Sequence, residues 1–158
     1  MVGTIDGEIK ALDNFGERMV PAASHSSVFW AHIYRYRFAT QFVRNKHVLD
    51  IACGEGYGAA GLLAAGAASV IAMDIAEPAV VHAARKYGLD AGQGSAEAIP
   101  LDDHSLDVIV SFETIEHLPH PRSFIQECVR LLKPGGTLVV SSPDRDGTTG
   151  IVNPHHSD

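Results

Sequence analysis

Residues 48–58 join a short apolar run to a glycine-rich turn, and this junction constrains the fold more than any other part of the chain. The segment reads VLDIACGEGYG, with glycines at positions 54, 56 and 58. An apolar run of this length predicts a buried strand, and the glycines allow a tight turn that opens a helix. A strand, a glycine-rich turn and a helix in succession predict an α/β fold with a nucleotide-like ligand at the turn.

Two acidic residues in this segment indicate which ligand the turn would bind. Asp50 lies four residues before Gly54, and Glu55 lies inside the turn. A dinucleotide site places an anionic pyrophosphate against backbone N–H groups, which nearby carboxylates would oppose. S-adenosylmethionine carries a sulfonium, an ammonium and an adenosine but no phosphate, so it is better matched. The residues alone also allow a turn that binds nothing and serves only a tight strand-to-helix connection.

Length, charge and cysteine content narrow the class of protein. The chain has 158 residues, a formal net charge of −7 and Lys and Arg residues scattered along it. This composition predicts one domain and argues against sequence-independent nucleic-acid binding. The apolar runs are too short to span a membrane, and residues 1–10 lack the pattern of an export signal. Cys53 and Cys128 have no zinc-ligand or disulfide spacing. We expect a cytoplasmic protein with a small-molecule substrate and neither nucleic-acid nor membrane partners.

Apolar runs and amphipathic segments alternate after position 47, which predicts βαβ units on a parallel sheet. The predicted strands are residues 48–52, 70–73, 89–94, 106–112 and 137–141. The predicted helices are residues 57–65, a segment from about Pro78 to Gly88, and residues 121–132, with the run 133–136 closing the last helix. The third strand is the weakest prediction, because it is short and contains two glycines.

The remaining segments are interpreted around this core. The chain divides into an N-terminal extension (1–24), a lid helix (25–44), a cofactor-binding core (45–145) and an irregular tail (146–158), all in one domain of residues 1–158. Residues 28–43 are rich in aromatic residues and predict the lid helix. In one interpretation its basic and aromatic side chains contact a cofactor or substrate. In the other, Tyr34 and Phe38 pack on the sheet while Arg35 and Arg37 are solvated.

Five segments in order resemble class I S-adenosylmethionine-dependent methyltransferases, particularly the small-molecule branch related to quinone-biosynthesis and sugar-pathway enzymes. They read VLDIACGEG (48–56), IAMDI (71–75), GSAEAIP (94–100), LDVIVSFE (106–113) and LLKPGG (131–136). The resemblance implies a Rossmann-like, doubly wound parallel sheet with strand order 3-2-1-4-5. It also implies methyl transfer from S-adenosylmethionine to a small-molecule acceptor, by O- or C-methylation.

The resemblance implies a cofactor-binding set along the carboxyl ends of the strands. Asp50 would favour the cationic groups, Asp74 would bind the ribose hydroxyls, and Ile75 would pack on the adenine. Ser95 stands where the family commonly has Asp, so its hydrogen bond to the adenine would be weaker. The full set is Asp50, Ala52, Gly54, Gly56, Tyr57, Asp74, Ile75, Ser95, Ala96 and Phe112.

A polar cluster after the fourth strand is a candidate for the acceptor side of the site. Glu113, Glu116 and His117 have the spacing of one helical face, and His156 lies near the C-terminus. As one hypothesis, these four residues bind a divalent metal, as similar E-x-x-E-H segments do in some methyltransferases. Without a metal, His117 would be a general base. They are also explained as ordinary polar residues at the end of a helix.

The sequence departs from the family pattern after the fifth strand, because no antiparallel strand pair follows it. Strand five is then expected to form an exposed sheet edge. A fragment, a homodimer paired at this edge, or a partner that completes the substrate pocket would each explain the departure. Two further functions stay open: a cofactor-binding module without independent catalysis, and a nicotinamide-dependent oxidoreductase that relies on the glycine turn and Asp74.

Overall fold

The computed structural model describes residues 27–143, and its core is a parallel sheet with helices on both faces. The strands are β1 (His47–Ile51), β2 (Ser69–Asp74), β3 (Asp90–Gln93), β4 (Leu106–Phe112) and β5 (Leu132–Ser141). The α-helices are α1 (Ser27–Ala39), α2 (Tyr57–Ala64), α3 (Glu77–Tyr87) and α4 (Pro121–Leu131). Short 3-10 helices cover Thr40–Phe42 and Ile115–His117.

The five strands pair in the order β3-β2-β1-β4-β5, and every pair is parallel. The predicted fold class and strand order are therefore confirmed. Asp50 lies in the central strand, opposite Ala72 of β2 and Val110 of β4. The strand order reverses between β1 and β4, because the chain returns from β3 at one edge to form β4 beside β1. Ligands of open α/β sheets bind at this kind of switch point. Within residues 27–143 the sheet contains no antiparallel strand pair, and β5 is an edge strand.

Alternate residues of the buried strands supply two apolar cores, one on each face of the sheet. One core packs under α1, α2 and α3 and includes Val48, Val70 and Val108. The other packs under α4 and includes Leu49, Ile109 and Phe124. Both faces of the sheet are thus covered, which leaves the carboxyl ends of the strands as the place for a site.

The largest difference from the predicted boundaries is at the start of β5, whereas the bounds of the other strands agree to within about one residue. β5 begins at Leu132 rather than at residue 137, and α4 ends at Leu131. The predicted closing turn at residues 133–136 instead forms an irregular start of β5. Leu132 is opposite Leu106, whereas Thr137 is already opposite Val108. The extra residues are accommodated as a bulge, in which Gly135 has a φ of 80°.

The weakly predicted third strand is present as Asp90–Gln93, held by pairing along β2 from Ile71 to Asp74. The predicted N-terminal extension, the irregular tail and His156 lie outside the described residues, and the single-domain division stays a prediction. In the part of the chain that the structure covers, no helix is both long enough and apolar enough to cross a bilayer.

Candidate functional site

The glycine-rich turn is held at the carboxyl ends of β1 and β2 by backbone hydrogen bonds. The Gly54 N–H donates to Asp74 Oδ2 at 2.9 Å, and the Cys53 N–H donates to the Met73 carbonyl at 2.9 Å. Ala52, at the start of the turn, has a φ of 62°, which is rare for a residue with a side chain. Such backbone strain is concentrated at ligand sites, so Ala52 supports the choice of this turn as the site.

Gly56 caps α2 and packs against α3. It has a φ of 85°, and a Cβ at this position would lie 2.5 Å from the Ala83 Cβ. Any other residue at position 56 would therefore push the turn away from α3. The close approach fixes where the α2 N-terminus begins, and with it the direction of the first free N–H groups.

Asp50 is fully buried at the centre of the sheet, and it accepts hydrogen bonds from Tyr36 of α1. The Tyr36 hydroxyl lies 3.1 Å from each carboxylate oxygen. Burial raises the pKa of Asp50 to about 7, the nearby Asp74 carboxylate raises it further, and the Tyr36 hydrogen bond opposes the rise. A buried carboxyl group that lacks a cationic partner is poised to bind a cation.

The ring of Tyr36 closes the site from the α1 side. It makes edge-on contacts with Phe112 at 4.9 Å and Tyr57 at 5.8 Å between ring centroids. A Cβ on Gly58 would overlap a ring carbon of Tyr36, so the ring lies directly on the first turn of α2. The lid helix was predicted, but Tyr36 was not singled out. The sequence does not single it out, because Phe29, seven residues earlier, has the same predicted position around a helix.

The structure contradicts most of the second interpretation of the lid helix, and the first stays a prediction. Tyr34 and Phe38, which one interpretation packed on the sheet, are 65% and 54% exposed. Arg35, expected there to be solvated, lies 3.2 Å from Glu113. The inward face of α1 is therefore carried by Tyr36 and Arg35, and the aromatic residues on either side face outward.

The residues predicted for the adenosine lie along β2 and the segment after β3. Asp74 is buried, and its carboxylate accepts from the Gly54 and Ala76 N–H groups. Ile75 is 70% exposed at the end of β2. The Ser95 hydroxyl accepts from the Glu97 N–H at 3.2 Å, and Ala96 is buried in the core under α4. Asp74 thus organises the turn, and its contact with the ribose stays a prediction.

Glu55, the acidic residue inside the turn, points to α3. Its carboxylate lies 3.9 Å from His82 Nε2, and both side chains are more than nine-tenths buried. Glu55 Oε1 and His82 Nε2 have no hydrogen-bond partner. Of the two acidic residues that suggested a cationic ligand, Asp50 is therefore the one whose carboxylate is held between the turn and the lid helix.

The predicted polar cluster is only partly assembled. Glu113 has a φ of 52°, so it leaves the helical path that was expected to align it with Glu116 and His117. Its Oε1 accepts from the Ser141 hydroxyl at 2.7 Å and also pairs with Arg35. Within residues 27–143 no three His, Cys, Asp or Glu side chains converge as metal ligands, and His156 lies outside this range.

Glu116 and His117 do come together, with 3.8 Å between Glu116 Oε1 and His117 Nε2. The Glu116 side chain is 8% exposed, and neither of its carboxylate oxygens makes a hydrogen bond of ordinary geometry. Burial raises the pKa of Glu116 above its usual range, and the Glu113 carboxylate adds to the rise. The nearby Ser142 side chain lowers the pKa of Glu116 only in part. The acceptor side of the site therefore contains a carboxyl group with open hydrogen-bonding capacity.

Comparison with known proteins gives the same family as the residues. A family model described as a methyltransferase domain matches residues 49–140. A protein of Mycolicibacterium smegmatis, named "probable S-adenosylmethionine-dependent methyltransferase", is 38% identical over 93% of this chain and 59% of its own length. A phthiotriol/phenolphthiotriol dimycocerosates methyltransferase of Mycobacterium tuberculosis is 39% identical over 67% of this chain and 42% of its own length.

The chain spans only about two fifths to three fifths of the length of these relatives. Among solved structures, the cyclase SpnF superposes with a TM-score of 0.67 at 23% identity, covering 75% of this chain and 47% of its own. That likeness shows the fold alone. The family match spans more than half of the chain and includes the glycine turn, Asp74 and both ends of β4. The chain belongs to the class I S-adenosylmethionine-dependent methyltransferases.

Proposed function

We propose that the protein binds S-adenosylmethionine at the glycine turn and transfers its methyl group to a small-molecule acceptor. The observation that carries this proposal is the buried Asp50 carboxyl at the switch point of the sheet, with its pKa raised to about 7. A cationic ligand would compensate this buried charge, whereas a pyrophosphate would add to it. The nicotinamide-dependent alternative is therefore less well supported.

The described residues suggest how the cofactor would be held. Asp50 would pair with the ammonium, the turn at Gly54 and Gly56 would admit the methionine part, and Asp74 would accept from the ribose. Ile75, with Ser95 and Ala96, would hold the adenine. Ala52, Tyr57 and Phe112 complete the predicted set, and Phe112 with Tyr36 would exclude water from the reacting centre.

The bound cofactor supplies an activated methyl group on a sulfonium. The protein must then align an acceptor nucleophile behind the methyl group and, for a hydroxyl acceptor, remove its proton. We propose that Glu116 and His117 receive that proton, because Glu116 is buried, has open hydrogen-bonding capacity and lies after β4 at the same edge of the sheet. The metal hypothesis is less well supported, since Arg35 and Ser141 already engage Glu113.

The acceptor is proposed to be a small molecule bound beside β4 and β5. One relative is named for methylating phthiotriol and phenolphthiotriol dimycocerosates, which supports including lipid-like acceptors. The quinone- and sugar-pathway branch stays a prediction, as do a cytoplasmic location and a homodimer or other partner at the β5 edge. A cofactor-binding module without independent catalysis stays the second candidate.

Calorimetry with S-adenosylmethionine and with S-adenosylhomocysteine tests the binding step, with Asp50→Ala as the variant and Ile125→Ser on the far face as the control. Both ligands should bind the native protein and the control, and the Asp50 variant should bind at least about tenfold more weakly. Stabilisation by NADH and none by S-adenosylmethionine would contradict the proposal.

Release of S-adenosylhomocysteine with a panel of hydroxyl, amine and lipid-like acceptors tests turnover. Acceptor-dependent release that falls in Glu116→Gln, with unchanged cofactor binding, would support the transferase. Cofactor binding without release from any acceptor would favour the binding module.

A further inference from the structure

The outward face of α1 and the 3-10 helix after it carries a continuous aromatic stripe. Trp30, Tyr34, Phe38 and Phe42 are 54%, 65%, 54% and 36% exposed. They are spaced four residues apart, so they follow one another on successive turns of the helix. The stripe is about 18 Å long at the rise of an α-helix. We use the name "α1 stripe" for these four residues.

The segment that carries the α1 stripe is positively charged, whereas the whole chain has a negative net charge. Residues 27–47 contain Arg35, Arg37, Arg44 and Lys46 and no Asp or Glu, in a protein whose formal net charge is −7. Arg35 is paired with Glu113, while Arg37, Arg44 and Lys46 are exposed. Lys and Arg looked scattered over the whole sequence, and this segment is the exception. An apolar stripe flanked by basic residues is complementary to an apolar surface that carries negative charge.

The stripe lies on the back of the helix that closes the site. Tyr36, on the inward face of α1, contacts Asp50 and covers Gly58. An α-helix with its side chains is about 10–12 Å wide, so a surface touched by the stripe would lie within about that distance of the site. This placement joins the stripe to the proposed reaction.

We propose that the α1 stripe docks the protein onto an anionic lipid surface, from which a lipid-like acceptor reaches the site. The inference rests on the proposed function for the identity of the acceptor. The aromatic rings enter the boundary between headgroups and acyl chains, and Arg37, Arg44 and Lys46 contact the headgroup phosphates. Docking of this kind requires no membrane-spanning helix, but it departs from the expectation from the sequence that the protein has no membrane partner.

The geometry of the rings favours a lipid surface over single-stranded nucleic acid. Phe38 and Phe42 contact each other edge to face at 5.4 Å between ring centroids, which joins them into one apolar ridge. Stacking with bases would require each ring face to be open. The basic flank also argues against a second copy of the same face, because two such faces would bring like charges together.

Vesicle flotation tests the proposal with phosphatidylcholine vesicles that contain or lack phosphatidylglycerol. Three variants are compared with the native protein: Tyr34→Ser with Phe38→Ser, Arg37→Gln with Arg44→Gln, and the control Ile125→Ser with Val129→Ser. The control removes exposed apolar side chains from α4, on the opposite face of the sheet. Calorimetry with S-adenosylmethionine checks that each variant keeps its fold.

The native protein and the control should float with phosphatidylglycerol vesicles, and binding should weaken as salt is added. The stripe variant and the charge variant should each bind the vesicles at least about tenfold more weakly, with cofactor affinity unchanged. Unaltered binding by the stripe variant, or no binding by the native protein, would overturn the proposal.

Two other results would also overturn it: a dimer in light scattering that the stripe variant abolishes, or stripe-dependent binding of single-stranded RNA in place of vesicles. Vesicle binding without cofactor binding would contradict the proposed function but would still support the α1 stripe as a docking surface.

Discussion

The Tyr36 hydroxyl shares its hydrogen bond between the two oxygens of Asp50, at 3.1 Å from each. This contact joins the lid helix to the central strand of the sheet. It also holds the carboxyl group that the proposed cofactor ammonium would contact. Movement of α1 and ionisation of Asp50 are therefore coupled, because the ionised carboxylate accepts the Tyr36 hydrogen bond more strongly than the protonated carboxyl group does.

Ionisation of Asp50 should make cofactor affinity depend on pH. The pKa of Asp50 is about 7 in the folded protein and near 3.8 when unperturbed. A cationic ligand binds the ionised form, so affinity should rise from about pH 5.5 to about pH 7.5, by up to about tenfold for each pH unit below the pKa. Calorimetry in two buffers of different ionisation enthalpy would measure the protons released on binding. Asp50→Asn should remove this dependence.

The same shift should lower the stability of the cofactor-free protein as pH rises. Between the unfolded and folded pKa values the folded state holds more protons, so the Asp50 contribution to unfolding free energy falls from about pH 4 to about pH 7. The full effect is about 4 kcal/mol. Denaturant unfolding of the native protein and Asp50→Asn across this range would measure it. A stability difference between the two that does not change with pH would contradict the assigned shift.

Gly58→Ala should destabilise the lid contact, because the added methyl would occupy the position of the Tyr36 ring. We expect a loss of about 1–3 kcal/mol in unfolding free energy and weaker cofactor binding. The matched control is Gly61→Ala on the same helix, where a Cβ would have no neighbour within 4 Å. It should be neutral or stabilising by up to about 1 kcal/mol.

A double-mutant cycle distinguishes the Tyr36 contact from a general effect on α2. With Tyr36→Leu in place, Gly58→Ala should cost much less than it does alone. Equal costs in the two backgrounds would show that the ring does not lie on Gly58.

The sheet could be predicted because its strands carry local signals. β1 and β4 are buried on both faces, so each reads as an apolar run, and the glycine turn marks where β1 ends. β3 gave a weak signal because its pairing with β2, rather than its own residues, holds it in the sheet. The predicted start of β5 was wrong because Pro134 and Gly135 have the sequence pattern of a turn. The bulge that they form depends on pairing with β4, which the local sequence does not show.

Site residues could be predicted from the sequence only where they lie at or near the carboxyl end of a strand. Asp50, Gly54 and Asp74 lie together as expected, since parallel strands bring their carboxyl ends to one edge. Tyr36 and His82 approach from helices, and nothing local to either residue indicates which strand it meets. The left-handed backbone of Glu113 was equally hidden, because glutamate carries no preference for it.

Ile75→Ser should weaken cofactor binding without unfolding the protein. Ile75 is 70% exposed, so its folded-state contacts are few and the loss of stability should be below about 0.5 kcal/mol. Packing on the adenine would bury the side chain, and removing that packing should reduce affinity by about five- to tenfold. Calorimetry with S-adenosylmethionine and denaturant unfolding measure the two quantities. Val129→Ser, at a similarly exposed site on α4, should change neither.

Arg130 should be necessary to hold the segment that carries Ser95 and Ala96 in its position. Its guanidinium donates to the carbonyls of Ile99 and Leu101 at 2.8 Å each. Glu127 accepts from Arg130 and from the Ile99 N–H, so α4 holds this segment from both sides. A lysine provides one point of charge and cannot bridge two carbonyls and a carboxylate in this way.

Arg130→Lys is therefore expected to lower the melting temperature by a few degrees and to weaken cofactor binding several-fold. Arg122→Lys, at the exposed start of the same helix, is the control and should alter neither quantity. Thermal unfolding with and without S-adenosylmethionine measures both effects. A normal cofactor-induced stabilisation in Arg130→Lys would mean that the 95–101 segment keeps its position without the guanidinium contacts, and would contradict this role of Arg130.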